Sequence, residues 1–175
     1  MSLVTNCGLL QGGPVAAEFQ HQGAVFVLQS TDMEAAKPVL ARNGVELGPA
    51  VRLLEAYFSR PGIAERSVDQ LMKEYGRIDV LGNNSGPEHI DKPLAEIEDA
   101  EWDGMFRLIV TELFYTTRAV LRRMIPRKRG KIVNIAAAGG INPYPGPTRP
   151  TARPGARSSL SPKRWDVRSP PSISK

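Results

Sequence analysis

The residues able to do chemistry in this 175-residue chain gather in three short stretches. "VTNCGLLQGGP", residues 4–14, is a glycine-rich turn containing Thr5, Gly8, Gly12 and Gly13. Between a strand and a helix, such a turn lets the backbone approach a pyrophosphate, which then rests on the free amides of the helix N-terminus. "IDVLGNNSG", residues 78–86, runs from apolar residues into Asn83, Asn84, Ser85 and Gly86. "GKIVNIAAAGG", residues 130–140, is a β-branched run that ends in small residues. Metal chemistry is not expected. The chain has one cysteine, Cys7, and two histidines, His21 and His89, and their spacing matches no ligand pattern. His89, in "GPEHID", reads as a solvated loop residue.

The elements that must position these stretches follow from periodicity. "SLVTNCG" reads as a first strand and "AVFVLQS" as a strand buried on both faces. "GPVAAEFQHQG" carries Val15, Ala16 and Phe19 at near-helical spacing and stops at Gly23. Residues 33–55 read as helical with interruptions at Gly44 and Gly48, and "VRLLEAYF" is ambiguous between strand and helix end. "GIAERSVDQLMKEYG" is a helix with Ile63, Val68, Leu71 and Met72 on one side. "IDVLGNN" is a strand. Residues 100–126 form a long helix, with Trp102, Met105, Phe106, Ile109, Val110, Leu113, Phe114, Val120 and Leu121 recurring every three or four residues. "KIVNIAAAG" is the last strand. Strands alternating with helices imply an α/β fold: a doubly wound, three-layer parallel sheet of about five strands. Ligands in such sheets bind outside the carboxyl ends of the strands, where the three stretches fall.

Together these stretches resemble the short-chain dehydrogenase/reductase family over roughly residues 3–147. "GRIDVLGNNSG" looks like the family's strand-four motif NNAG, and "EWDGMF…RGKIVNI" resembles its long helix and fifth strand. The resemblance implies a Rossmann-like domain binding NAD or NADP, with Thr5, Gly8, Gly12, Gly13, Ser30, Asn83, Asn84, Ser85 and Gly86 at the cofactor. It also implies a small alcohol or carbonyl substrate. The departures are informative. In the family's TGxxxGxG turn, Thr5 and Gly12 keep their places, while Asn6 and Leu10 replace glycines. Ser30 stands where an acidic residue would bind the ribose hydroxyls of NAD, with Asp32 two residues later, and no arginine nearby favours NADP.

The catalytic set implied by the resemblance is a Ser, a Tyr and a Lys. The Tyr is the acid/base, and a neighbouring Lys lowers its pKa. The Ser position falls on Ala137 and the Tyr position on Pro150, in "RPTARPG". A structural Asn of the long helix falls on Ile109. None of Tyr75, Tyr115 and Tyr144 is followed four residues later by Lys. A catalytically impaired chain is expected, with no catalytic residue assigned. A halohydrin dehalogenase-like ancestor, with Ser, Tyr and Arg and no nucleotide, is the second reading; a non-catalytic nucleotide-binding or interaction module is a third.

Residues 148–175 form a basic Pro/Ser-rich tail, expected to be irregular. They carry seven Lys/Arg and one Asp, a net +6, which leaves −1 on residues 1–147. The charge is a tail property, so no nucleic-acid partner is expected. The degenerate codons of residues 150–155, read one frame over, permit Tyr-Ser-Ala-Ala-Arg, so the tail is expected to be out of the family's reading frame. Without the elements that follow in the family, the strand at 131–135 is expected to be a bare edge and the helix 100–124 under-covered, a surface for self-association. No apolar run reaches the length of a membrane span and no secretory leader is seen, so a cytoplasmic location is expected.

Overall fold

The computed structural model describes residues 1–9, 11–84, 93–136 and 163–166. Strand β1 (Ser2–Val4) leads through the glycine turn into helix α1 (Gly12–His21). Then come β2 (Phe26–Ser30), α2 (Met33–Arg42), β3 (Val51–Glu55), α3 (Ile63–Tyr75) and β4 (Val80–Asn84). One helical run follows, made of α4 (Asp99–Phe106), a π-helical turn (Arg107–Thr111) and α5 (Glu112–Met124). Strands β5 (Lys131–Ile135) and β6 (Lys163–Asp166) complete the described elements.

The sheet order is β3-β2-β1-β4-β5-β6. The first five strands are parallel, and the chain reverses sides between β3 and β4. Successive side chains of a strand face opposite sides, so β1 and β2 feed two cores. Leu3, Val27, Leu81 and Ile132 pack on one face with Val68 and Leu71 of α3 and Ala119, Val120 and Met124 of α5. Val4, Phe26 and Leu28 pack on the other with Ala16 of α1 and Ala36 and Leu40 of α2. This is the three-layer architecture expected.

Three expectations need correction. The helix read over 33–55 ends at Arg42: Gly44 turns left-handed at φ +74°, and the β-branched start of "VRLLE" pairs with β2 from Val51. The five parallel strands are those expected, and a short sixth strand joins them at the β5 edge. Lys163–Asp166, inside the tail expected to be irregular, lies antiparallel to β5 with Trp165 opposite Ile132, so β5 is not a bare edge. An open strand edge presents a row of unpaired amides and carbonyls, and four extended residues suffice to meet it. Finally, the long helix does not bury all its apolar positions on one side. Glu112, Thr116, Ala119, Val120 and Met124 face the sheet, while Trp102, Phe106, Val110 and Phe114 stand 44–51% exposed at four-residue spacing. That part of the expected under-covering is present.

Among the described residues no helix is long and apolar enough to cross a membrane. Leu71 is 1% exposed at the centre of the α3 contact with the sheet. Leu71→Ala is expected to lower stability by about 2–5 kcal/mol in urea unfolding, against a change within about 0.5 kcal/mol for the exposed Lys37→Ala.

Candidate functional site

Asn6 determines the shape of the turn after β1. Its backbone is left-handed, at φ +49°, a region that asparagine tolerates better than most residues with a Cβ. Its amide donates to Gln29 Oε1 at 3.0 Å, and its carbonyl accepts from Asn84 Nδ2 at 2.9 Å. Its own Nδ2 donates to Glu112 Oε1 at 2.7 Å, across 106 positions of sequence. One residue thus joins β2, β4 and α5 at the carboxyl ends of the strands. Thr5 braces the same point, its Oγ1 accepting from the Asn84 amide at 3.1 Å.

Gly12, behind this hub, is required by contact. A Cβ on Gly12 would lie 2.5 Å from Cys7 Cα, and one on Gly13 would lie 2.4 Å from Asn43 Nδ2. Backbone cannot yield at the first position, so α1 can start there only as glycine. A Cβ on Gly8 would stand 2.9 Å from that of Ala36. Helix α1 starts without a side-chain cap or an acidic residue in its first turn. Its terminal amides and partial positive charge suit an anion.

The turn, the end of β2 and the start of α2 enclose a cavity of about 160 Å³. Asn6, Gly8, Ser30, Asp32, Leu108 and Glu112 are among its lining residues. Ser30 Oγ donates to the Asp32 carbonyl at 2.9 Å, and the Asp32 side chain caps α2 at the Ala35 amide, 2.9 Å away. A larger cavity, about 240 Å³, lies at the opposite end of the sheet, between Asp79, Val80, Arg129, Gly130 and Lys131. It is at the amino ends of β4 and β5, away from the crevice where parallel sheets bind ligands. Asp79 there is already engaged by the Met1 amino group at 2.7 Å and by Arg127 at 3.2 Å.

Of the residues read as cofactor contacts, Gly8 and Ser30 line the cavity, Thr5 and Asn84 brace it, and Gly12 and Gly13 pack behind it. Asn83 points elsewhere: its Nδ2 donates to Thr117 Oγ1 and to Asn134 Oδ1, tying β4 to α5 and β5. Ser85 and Gly86 lie outside the described residues, as do His89, Ala137 and Tyr144. Tyr75 and Tyr115 pack against the core between α3, α5 and the sheet, not at the cavity. Cys7 is buried, and burial pushes its thiol up to about 12, so it is no nucleophile.

Sequence reasoning missed Glu112. It is 3% exposed, and burial, opposed only by the Asn6 hydrogen bond, pushes its carboxyl up to about 7. The signal was available: Glu112 shares a helix face with Thr116 and Val120, so a charged residue sits in a core-facing stripe.

The residues that match the short-chain dehydrogenase family model run from 3 to 152. This chain belongs to that family. Gluconate 5-dehydrogenase of Gluconobacter oxydans (strain 621H) is 38% identical over 163 residues, 91% of this chain and 62% of that protein. A solved structure of NAD+-bound xylitol dehydrogenase superposes with a TM-score of 0.71 at 27% identity, over 83% of this chain and 56% of that one. A metagenomic short-chain oxidoreductase in complex with NADP gives 0.71 at 28% identity, over 82% and 64%. The chain spans about three-fifths of the length of the curated relatives it matches. Asn6, which the resemblance sets at the first glycine of the family's turn, is left-handed, a conformation that glycine also adopts.

A folded carboxyl titrating near 7, against 4.5 when exposed, binds a proton that the unfolded chain has released. Stability from this group is therefore full below about pH 4.5 and is lost as pH rises through about 7. The loss is about 3 kcal/mol for a displacement of that size. Glu112→Gln is expected to flatten this slope, measured by urea unfolding at stepped pH.

Proposed function

We propose that this chain provides the nucleotide-binding part of an NAD(P)-dependent oxidoreductase of small alcohols or carbonyl compounds, with hydride transfer impaired. The observation that carries the binding is the cavity at the carboxyl ends of β1 and β2, which joins the glycine turn to Ser30 and Asp32. Serine and aspartate oxygens suit a ribose diol. Among the described lining residues there is no Lys or Arg to favour a 2′-phosphate. NAD is therefore the better fit. The relatives support the class: one solved neighbour holds NAD+ and another NADP. When bound, the dinucleotide would supply the hydride or accept it. The residues of this chain would hold it, with Ser30 and Asp32 toward the ribose and Gly8 and the start of α1 toward the phosphates.

Impairment rests on residue types. The position that should carry the catalytic Ser is Ala137, and a methyl group cannot donate to a substrate oxygen. The Tyr and Lys positions fall in "RPTARPG". Tyr75 and Tyr115, which the structure describes, are core residues. Titration followed by nucleotide fluorescence is expected to show NADH binding at least about tenfold tighter than NADPH, a gap of about 1.4 kcal/mol. Incubation with secondary alcohols or ketones is expected to give no hydride transfer above the protein-free rate. Equal affinity for both nucleotides would overturn the choice of NAD, and measurable turnover would overturn the impairment.

Self-association through the helical run 99–124 belongs to the same reading. Trp102, Phe106, Val110 and Phe114 make an exposed apolar stripe, and the tilted rings of Trp102 and Phe106 pack with centroids 5.0 Å apart. Sedimentation is expected to find a homo-oligomer that Phe106→Asp dissociates to monomer without loss of helical signal; a monomeric parent chain would refute it. The cytoplasm is the compartment we assign.

A further inference from the structure

Glu112 lines the space in which the phosphates of a dinucleotide would lie, and among the described lining residues no cation stands beside it. Its Oε1 accepts from Asn6 Nδ2, on the turn that leads into the α1 N-terminus. The same cavity is lined by Asn6 and Glu112, so the carboxyl and the turn share one volume. The groups that face it can be named element by element. The β1–α1 turn brings Asn6 and the buried Cys7, whose thiol stays protonated. β2 and α2 bring Ser30 and Asp32. β4 brings Asn84, which is held on the Asn6 carbonyl. The helical run brings Leu108, and one turn beyond Glu112 the Thr116 Oγ1 donates to the Glu112 backbone carbonyl at 2.8 Å. Asp32 is the other ionisable carboxyl of the cavity, and its charge has the same sign.

Resting on the reading of this cavity as a dinucleotide site, we propose that Glu112 decides when the site accepts a pyrophosphate ligand: the ligand enters with the Glu112 carboxyl protonated, and binding above neutrality takes up one proton from solvent. Two physical facts support it. An ionised Glu112 would put a fixed negative charge in a low-dielectric space beside an anionic ligand. A protonated Glu112 keeps Oε1 as acceptor for Asn6 and offers the Oε2 hydroxyl as a donor to a phosphate oxygen. Burial sets the exchange between the two forms at about 7, so both exist near neutral pH. The residue is thus a specificity-determining one. A ligand without phosphate, such as adenosine, would not sense it.

The test is NADH binding by fluorescence between about pH 6 and pH 8.5, with NADH chosen because it lacks the titrating 2′-phosphate of NADPH. The dissociation constant of the parent chain is expected to be level at the acid end and to rise by up to about tenfold per pH unit above about pH 7. Glu112→Gln, which keeps an acceptor for Asn6 and carries no charge, is expected to bind at pH 8 as the parent does at pH 6. Calorimetry of the parent at pH 8, in buffers of different ionisation heat, is expected to count about one proton taken up per NADH, and none for adenosine. A level NADH profile in the parent, a zero proton count, or an equal pH slope in Glu112→Gln would overturn the proposal and leave the dinucleotide reading standing. Absence of NADH binding at every pH would overturn both. Should Glu112→Gln fail to fold, the proton count on the parent decides alone.

Discussion

A single left-handed residue, Asn6, fixes the carboxyl end of this sheet. A parallel sheet ends in strand termini whose amides and carbonyls have lost their ladder partners, and buried groups of that kind must be met. Asn6 meets three elements at once: Gln29 on β2, Asn84 on β4 and Glu112 on α5. Gln29 extends the layer by donating to the Ala56 carbonyl beyond β3. On the other side, Asn83 donates to Thr117 and to Asn134, reaching β5. A band of buried amide side chains therefore crosses the sheet just where its backbone pairing stops. The hydrophobic layers on either face hold the strands together; this band determines how their ends are arranged, and with them the crevice.

Periodicity carried most of the architecture. β1, β2, β4 and β5 were legible as apolar runs, α1 and α3 as spaced apolar positions ending at glycines. Residues 42–51 were harder, because "NGVELGPA" retains apolar residues at helical spacing and no proline intervenes before Pro49. Only the left-handed Gly44 and the pairing of Val51 with Phe26 separate helix from strand, and that pairing is a tertiary fact. β6 was illegible for a related reason. Four residues, "KRWD", have no period of their own, and they form a strand because β5 offers them an edge. The site was half legible. Thr5, Gly8, Gly12, Gly13 and Ser30 could be placed from the motif, whereas the partners of Asn83 are tertiary, and Glu112 shows in the sequence only as a charged residue in the stripe of Thr116 and Val120, with its partner across the fold.

The inward direction of Glu112 has a local cause. The helical run from Asp99 to Met124 contains one π-helical turn at Arg107–Thr111. A π turn holds more residues than an α turn, so positions four apart stay on one side across it, where in a regular α-helix they would drift round. Glu112 is the first residue beyond the π turn, and it faces the sheet. Trp102, Phe106, Val110 and Phe114 keep their four-residue spacing across the same turn and stay outward. One irregularity in the backbone therefore separates two faces of different use: a polar one directed at the turn after β1, and an aromatic one left to solvent.

The Asn6–Glu112 pair is intelligible only as a pair. A glycine at position 6 would adopt φ +49° without strain, but it would remove the Asn6 side-chain donor from a carboxyl that is 3% exposed. An alanine at 112 would leave the Asn6 amide buried with its donor unspent, at about 1–3 kcal/mol. Neither change is tolerable while the other residue stays. The left-handed strain at Asn6, of order 1 kcal/mol, is offset by its hydrogen bond to a charged or chargeable group, which is worth about 1.5–3 kcal/mol. The result differs in kind from a turn of bare glycines. Glycines present only amides to a ligand and have no protonation state, whereas this turn is tied to a carboxyl that does. The affinity of the crevice for anions is thereby coupled to solution pH through the same contact that holds the crevice in shape.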